Sequence, residues 1–358
     1  MRQSLPTAKT VGMRRPLRLV LMSLIALAGC GAPDERAPFT DSRIPTGIQT
    51  RFYPPDGWGW GLIKVGDHPA ARYGVSAPPS QPRADVLILA AYGEPAETWF
   101  ETANDLNARG YVVWVLEQVG QGGSGRYSGP RDLGDAPSLD ADADAARALA
   151  DRVVRRRPLI VIASRTSAPE AVQALRRGLL ADGVVLSAPG LTPDPPATLS
   201  QARTMRRWGL GWRRADGGTG WSRDGPDDRS LGLTHDALRG RVRLAWQMAN
   251  PDLRMGGPSW RWRAGFADAV LAASSGSLAK LKAPTIVLQP SRGLAAAQTL
   301  CRRLPHCTVQ PFGPAGDVLQ LETDEPRKAW LQAVIAFVET DIARFSPPPV
   351  GARVTPEG

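Results

Sequence analysis

Histidine is scarce: the 358-residue chain holds only His68, His235 and His306. Cysteine is as rare, with Cys30, Cys301 and Cys307 alone. The two downstream cysteines have no third and fourth ligand beside them, so a structural zinc site is excluded and no metal site is expected. No histidine follows His306, and no Asp or Glu lies between Ala283 and Gly316. An imidazole after His306, or a carboxylate within 284–315, is therefore not on offer. The glycine run Gly120-Gln121-Gly122-Gly123 lacks the spacing of a dinucleotide fingerprint, and no cofactor is expected. The carboxylates Asp140, Asp142 and Asp144 lack the glycine and closing glutamate of a calcium loop. They suit the start of a helix, where the dipole favours acids. There is no internal repeat and no nucleic-acid motif.

The beginning of the chain is informative. Arg2, Lys9, Arg14, Arg15 and Arg18 precede an apolar run, Leu19 to Ala28, with no acid among them. The run is too short to span a bilayer as a stable helix. It ends in Leu27-Ala28-Gly29-Cys30, which resembles the lipobox of bacterial lipoproteins. That resemblance implies cleavage before Cys30 and diacylglycerol on its thiol. The alternative is an ordinary secretory signal with an incidental cysteine. Gly31 is not the aspartate that retains many such lipoproteins on the inner membrane. The expected address is thus the cell envelope, anchored to the outer membrane and facing the periplasm. Loss of residues 1–29 removes five basic residues and no acids, so the net charge falls from +10 to 39 − 34 = +5. Nucleic acid is not an expected partner. Outside the cytoplasm, Cys301 and Cys307 are expected to form a disulfide.

Residues 30–47 are polar and Pro-rich and read as a tether. Two antiparallel strands are expected within 59–77. Buried strands then alternate with helices: Val86–Tyr92, a helix over Pro95–Arg109, Tyr111–Leu116, a helix over Leu139–Arg156, Leu159–Ala163, a helix over Ala168–Leu180, and Gly183–Ser187. After an interruption come the strand Pro284–Gln289, a helix to Arg303, the strand Thr308–Phe312 and a last helix Glu325–Ala343. This rhythm implies an α/β fold, a mostly parallel sheet with helices on both faces. The body divides into a first core part (48–190), an insertion (191–275) and a second core part (276–345), followed by a disordered tail (346–358). The insertion, from about 190, holds 6 of the 11 tryptophans and the arginines Arg203, Arg206, Arg207, Arg213 and Arg214. Arginine with tryptophan suits anionic lipid head groups. A net charge of +5 is modest, however, which favours amphipathic cap helices with solvated arginines.

Several stretches resemble the lysophospholipase and monoacylglycerol-lipase branch of the α/β hydrolases, also called the serine aminopeptidase family. Glu117-Gln118-Val119-Gly120-Gln121-Gly122-Gly123-Ser124 resembles that family's D-x-R-G-x-G-x-S turn, and Tyr127 to Arg131 continues the match. Thr234-His235-Asp236-Ala237-Leu238-Arg239 and Gly256-Gly257-Pro258-Ser259-Trp260-Arg261-Trp262 are similar to its cap segments. Leu321-Glu322-Thr323-Asp324-Glu325-Pro326-Arg327 is similar to its E-x-D-x-x-R. The resemblance covers about residues 60–342 and implies a cap inserted after the sixth strand.

The same resemblance locates three catalytic positions. The family's nucleophile sits on a G-x-S-x-G elbow. Here the elbow reads Ala163-Ser164-Arg165-Thr166-Ser167, and a guanidinium cannot attack a carbonyl. The family's G-A-x-H base loop corresponds to Gly313-Pro314-Ala315-Gly316-Asp317, with Asp317 in place of the base. The acid should follow the strand Pro284–Gln289, but the loop holds Ser291 and Arg292. H-G-x-G-E has become Ala90-Ala91-Tyr92-Gly93-Glu94, leaving backbone amides of Tyr92 and Thr166 as the expected oxyanion donors. No position of the triad is intact, and Arg165 is placed where Asp317 could pair with it. Three readings follow: an inactive relative that binds a lipid-like ligand or an envelope partner, a weak acyl-ester hydrolase using Ser164 or Ser167, or a protein-interaction module.

Overall fold

The computed structural model describes residues 38–127, 129–154, 158–192, 194–275 and 277–345. The expected signal, Cys30 and the tail 346–358 lie outside the described residues. Eight strands form one sheet in the order β1-β2-β4-β3-β5-β6-β7-β8. β1 (Gly59–Ile63) and β2 (Ala71–Ser76) are antiparallel, and β2 runs antiparallel to β4 (Tyr111–Leu116). β3 (Ala84–Leu89), β5 (Leu159–Ser164), β6 (Gly183–Ser187), β7 (Thr285–Gln289) and β8 (Cys307–Pro311) complete the parallel part. The described residues form the helices α1 (Phe100–Asn107), α2 (Asp140–Arg152), α3 (Ala168–Arg176), α4 (Pro196–Arg207), α5 (Val242–Ala249), α6 (Trp260–Ser275), α7 (Leu294–Cys301) and α8 (Asp324–Phe345).

Alternation along β3 divides the core. Leu87 and Leu89 face a cluster that includes Ala145 and Leu149 of α2, Ala171 of α3 and Leu300 of α7. Val86 and Ile88 face Ala103 and Leu106 of α1 and Trp330, Val334 and Val338 of α8. Burial on both faces is why the central strands read as unbroken apolar runs. Each fully buried Leu or Val contributes about 1.5–3 kcal/mol. The expected strand Val86–Tyr92 ends earlier, at Leu89, because the chain turns where Glu94 N–H donates to Ala91 O (3.0 Å) and Gly93 takes φ +70°. The helix expected from Pro95 opens as a 3₁₀ turn, Ala96–Trp99, before α1.

The expected tether 30–47 is not free where it is described. Phe39 N–H donates to Gly123 O (2.7 Å), and Arg43 exchanges two hydrogen bonds with the Asn250 side chain (2.7 and 2.9 Å). Phe39 and Ile48 pack against a cluster that contains Phe52, Phe100 and Trp246. These isolated apolar residues sit in a polar, Pro-rich stretch whose composition hides them. Cys301 and Cys307 are joined in a disulfide that links the end of α7 to the start of β8, with Cα atoms 5.2 Å apart. α4, α5 and α6 form the insertion between β6 and β7.

Candidate active site

β5 delivers the chain to a sharp turn. Ser164 is extended, with φ −93°, and Arg165 has φ +43°. A left-handed conformation costs a non-glycine residue about 1–2 kcal/mol, and this strained strand-to-helix corner is the backbone of a nucleophile elbow. Gly190 N–H donates to Arg165 O (2.9 Å) and helps to hold it. Ser167 is fully buried, with Oγ within donating distance of Leu89 O (2.7 Å) and Ser164 O (2.8 Å). It latches β5 to β3. Ser164 is equally buried and donates to Glu94 Oε1 (3.3 Å). Both hydroxyls serve the interior, and neither has an imidazole beside it.

Arg165 folds inward. Its Nη2 donates to Tyr92 O (3.3 Å), and its Nε lies 3.4 Å from Glu94 Oε1, an ion pair without hydrogen-bond alignment. Glu94 is itself buried. It also accepts from Ala91 N–H (2.9 Å) and from Gln320 Nε2 (3.4 Å). The elbow brings the two expected oxyanion donors together, but Tyr92 N–H already donates to Thr166 Oγ1 (2.7 Å). The threonine side chain thus occupies the place a substrate oxygen would take.

The positions where the sequence places a base and an acid, Asp317 and Arg292, meet each other and not the elbow. Asp317 pairs with Arg292, whose side chain is 69% exposed. Ser291 N–H donates to Gly313 O (2.7 Å), which ties the two loops together. The pairing of Arg165 with Asp317 that the sequence allows is not formed. Glu94, already buried at the elbow, is the partner Arg165 finds.

Below the elbow lies a polar chain. Gly93 N–H donates to Gln121 Oε1 (2.9 Å), Gln121 Nε2 donates to Gln118 Oε1, and Gln118 Nε2 donates to Glu170 Oε2 (3.0 Å). Asp142 sits at its end and accepts from Val119 N–H (2.6 Å). Burial pushes the Asp142 carboxyl up to about 7, against the pull of the Val119 amide. Burial, aided by Asp142, also pushes Glu170 well above the carboxylate range.

The profile of the family "Serine aminopeptidase, S33" matches residues 80–296. The chain belongs to this family. It is 29% identical to lysophospholipase L2 of Escherichia coli K12 over 187 residues, 49% of this chain and 54% of that protein. The same holds for the enzyme of Escherichia coli O6:H1, so the chain spans about half the length of the curated relatives it matches. A Saccharomyces cerevisiae monoglyceride lipase superposes with a TM-score of 0.60 at 15% identity, covering 79% of this chain and 96% of that one. A Paleococcus ferrophilus monoacylglycerol lipase gives 0.58 at 17% identity, covering 75% and 98%. These likenesses establish the α/β-hydrolase fold with its mostly parallel sheet.

The serine aminopeptidase motifs outside the triad hold one another. Arg239 of the cap is 4% exposed in its side chain, and it grips Glu101 of α1 with Nε (2.8 Å) and Nη2 (2.9 Å). Its Nη1 donates to Glu322 O (3.0 Å) and Asp236 Oδ2 (3.1 Å) and pairs with Asp324 (2.9 Å). Thr234 Oγ1 donates to Leu321 O (2.7 Å), and His235 Nδ1 meets Glu322 Oε1 (2.8 Å). Burial would raise Glu322, but the amides of Gly316 and Thr323 and the His235 ring hold its carboxyl below the ordinary value. The second cap motif is fixed similarly, with Ser259 Oγ (2.7 Å) and Arg261 Nε (2.6 Å) both donating to Asp135 Oδ1. Glu101, Asp135 and the Thr166 side chain carry these roles without standing out in the sequence. Only Glu94 was visible, as the end of its motif.

Beside the elbow lies an open cleft of about 490 Å³, lined by Thr166, Asp194, Pro258, Trp262, Arg263 and Phe266 among others. Trp262 and Phe266 stack in parallel at 5.3 Å, and the Tyr92 ring meets Trp262 edge-on at 4.5 Å. Arg263 Nε pairs with Asp194 (2.8 Å) within the lining. The cleft offers aromatic wall for an apolar chain, with charge beside it.

Proposed function

We propose that this protein is a catalytically silent serine aminopeptidase-family lipoprotein that binds a single-chain lipid without hydrolysing it. The observation that carries the reading is Arg165 at the elbow, where its guanidinium is held by Glu94 and Tyr92 O. Acyl transfer in this fold needs a nucleophile, a base that takes its proton, an acid that orients the base, and free oxyanion donors. Arg165 stays protonated, Asp317 carries no imidazole, and the loop after β7 holds Ser291 and Arg292. Thr166 Oγ1 occupies the Tyr92 amide. Removing any one triad member leaves only the small rate that the oxyanion hole and binding supply. The aromatic cleft over Thr166 supports binding of an acyl chain. The lipobox at Leu27–Cys30 supports an anchor in the cell envelope.

The purified protein should not react with a fluorophosphonate probe. It should not hydrolyse lysophosphatidylcholine or a monoacylglycerol above a heat-killed control, yet it should bind lysophosphatidylcholine in titration calorimetry. Turnover lost on Ser164→Ala or Ser167→Ala would overturn the silent reading in favour of a weak acyl-ester hydrolase. Absence of binding, with absence of turnover, would point to a protein-interaction module. Cys30→Ser should move the protein from the membrane fraction to the soluble envelope fraction; retention in membranes would refute the anchor.

A further inference from the structure

The end of α4 carries large apolar side chains that folding does not use. Gly209 adopts φ +71°, its N–H donates to Arg206 O (3.2 Å), and Leu210 N–H donates to Met205 O (2.9 Å). That pair of bonds is a Schellman stop. The following turn is tied to the cap by Arg261 N–H on Gly211 O (2.8 Å) and Trp260 N–H on Arg213 O (3.0 Å). A turn fixed at both ends therefore presents Trp208, 74% exposed, and Trp212, 46% exposed. Elsewhere in the cap, Trp246, Trp260 and Trp262 are at most 6% exposed and serve as core. Trp208 stays largely in water, and Trp212 nearly half so.

Basic residues outnumber acidic ones at the same tip. Arg203 and Arg206 share Asp268 (3.3 and 2.9 Å), as expected for solvated cap arginines. Arg207 and Arg213 are exposed, and among the described residues no carboxylate pairs with either. The helix dipole accounts for basic residues in the last turn of α4. It accounts for neither tryptophan, and not for Arg213.

We propose that this tip is a contact site for an anionic bilayer, with Trp208 and Trp212 at the headgroup boundary and Arg207 and Arg213 on lipid phosphates. Indoles favour that boundary because one end is apolar and the other donates a hydrogen bond. Guanidinium groups match phosphate oxygens in pairs. An amphipathic surface with both features binds anionic membranes through apolar burial and charge together. The site is independent of the cleft and of Cys30 acylation.

The test uses the full chain carrying Cys30→Ser and Thr204→Cys, an exposed position one turn before Trp208, so that the one unpaired thiol takes an environment-sensitive fluorophore. A Leu62→Cys counterpart reports on an exposed position of β1. With vesicles of mixed phosphatidylglycerol and phosphatidylcholine, the probe at 204 should shift to the blue and the probe at 62 should not. Phosphatidylcholine alone should give little shift. Each basic residue near an anionic surface is worth about five-fold in partitioning, so Arg207→Glu with Arg213→Glu should raise the half-saturating lipid at least about 25-fold. An unshifted probe at 204, or equal shifts with both vesicles, would overturn the proposal. A shift that grows with protein concentration and needs no vesicles would assign the tip to a second copy of the chain.

Discussion

Two regions of this molecule, the elbow and the cap clip, differ in how firmly their side chains are held. At the elbow the backbone is strained, with Arg165 at φ +43° and small residues Ala163 and Ser167 around it, and the side chain at its tip is a guanidinium beside Glu94. At the cap clip, Thr234–Arg239 still closes on Leu321–Arg327 through buried, multiply bonded side chains. The first region needs few of its side chains for stability, since Arg165 makes only a long hydrogen bond to Tyr92 O and a misaligned ion pair with Glu94. The second needs them to keep the cap seated, and a buried charge there cannot lose one partner without exposing the other to an apolar interior.

The comparison is broken most directly at Arg239. Arg239→Ala leaves Glu101 without its two-pronged partner, although Arg327 Nε remains 3.4 Å away. Removing one side of such a pair costs about 3–5 kcal/mol. Urea unfolding should show a loss in that range, with cap tryptophan fluorescence changing at lower urea than in the parent. A loss below about 1 kcal/mol would mean that the clip bears little on stability. A smaller effect is expected away from both regions. Cys301→Ser with Cys307→Ser opens a loop of six residues between α7 and β8, and on the chain-entropy model this costs about 2 kcal/mol. The same loss should follow reduction of the parent protein.

The sheet was legible because its strands are buried on both sides and read as apolar runs, as in Val86–Leu89 and Leu159–Ala163. The elbow was legible from Ala163 and Ser167, whose smallness serves backbone packing. Partner choice was not legible. Arg165 could be placed near a carboxylate, yet whether Glu94 or Asp317 would be that carboxylate depends on how three loops pack. The Tyr92 amide was expected to be open, because nothing in Thr166 announces that its side chain turns back to fill the hole. Phe39 was hidden for a compositional reason: one aromatic ring in a Pro-rich stretch has no period to reveal it.

A third test sharpens the comparison by asking what the buried polar chain under the elbow now does. Asp142 ionises at about 7 in the folded protein and at an ordinary value of about 3.9 when unfolded. Between those values the unfolded chain has released the proton and the folded chain keeps it. Stability from this group therefore falls as pH rises from about 4 to about 7 and levels off above. Asp142→Asn keeps an acceptor for Val119 N–H and removes the titration. The stability difference between variant and parent should move in the variant's favour from pH 4 to pH 8, by up to about 4 kcal/mol for a carboxyl raised by about three pH units, read from urea midpoints at each pH. A difference between variant and parent that does not change with pH would show that the Asp142 carboxyl is not raised by burial.

The smallest effect is expected at the elbow tip itself, where Arg165→Gly is the informative change. Glycine relieves the left-handed backbone, worth about 1–2 kcal/mol, but widens the unfolded ensemble by about 0.5–1 kcal/mol. It also deletes a long hydrogen bond to Tyr92 O (3.3 Å) and a misaligned ion pair with Glu94 (3.4 Å). Glu94 would keep Ala91 N–H, Ser164 Oγ and Gln320 Nε2 as donors, so its carboxylate is not stranded. These terms oppose one another, and the net change should stay within about 1 kcal/mol of zero. Arg165→Ser should be as mild and should remain unlabelled by fluorophosphonate, because no imidazole is there to take its proton. If Arg165→Gly instead costs more than about 2 kcal/mol, the arginine has become a structural keystone, and the elbow would then have been rebuilt rather than emptied.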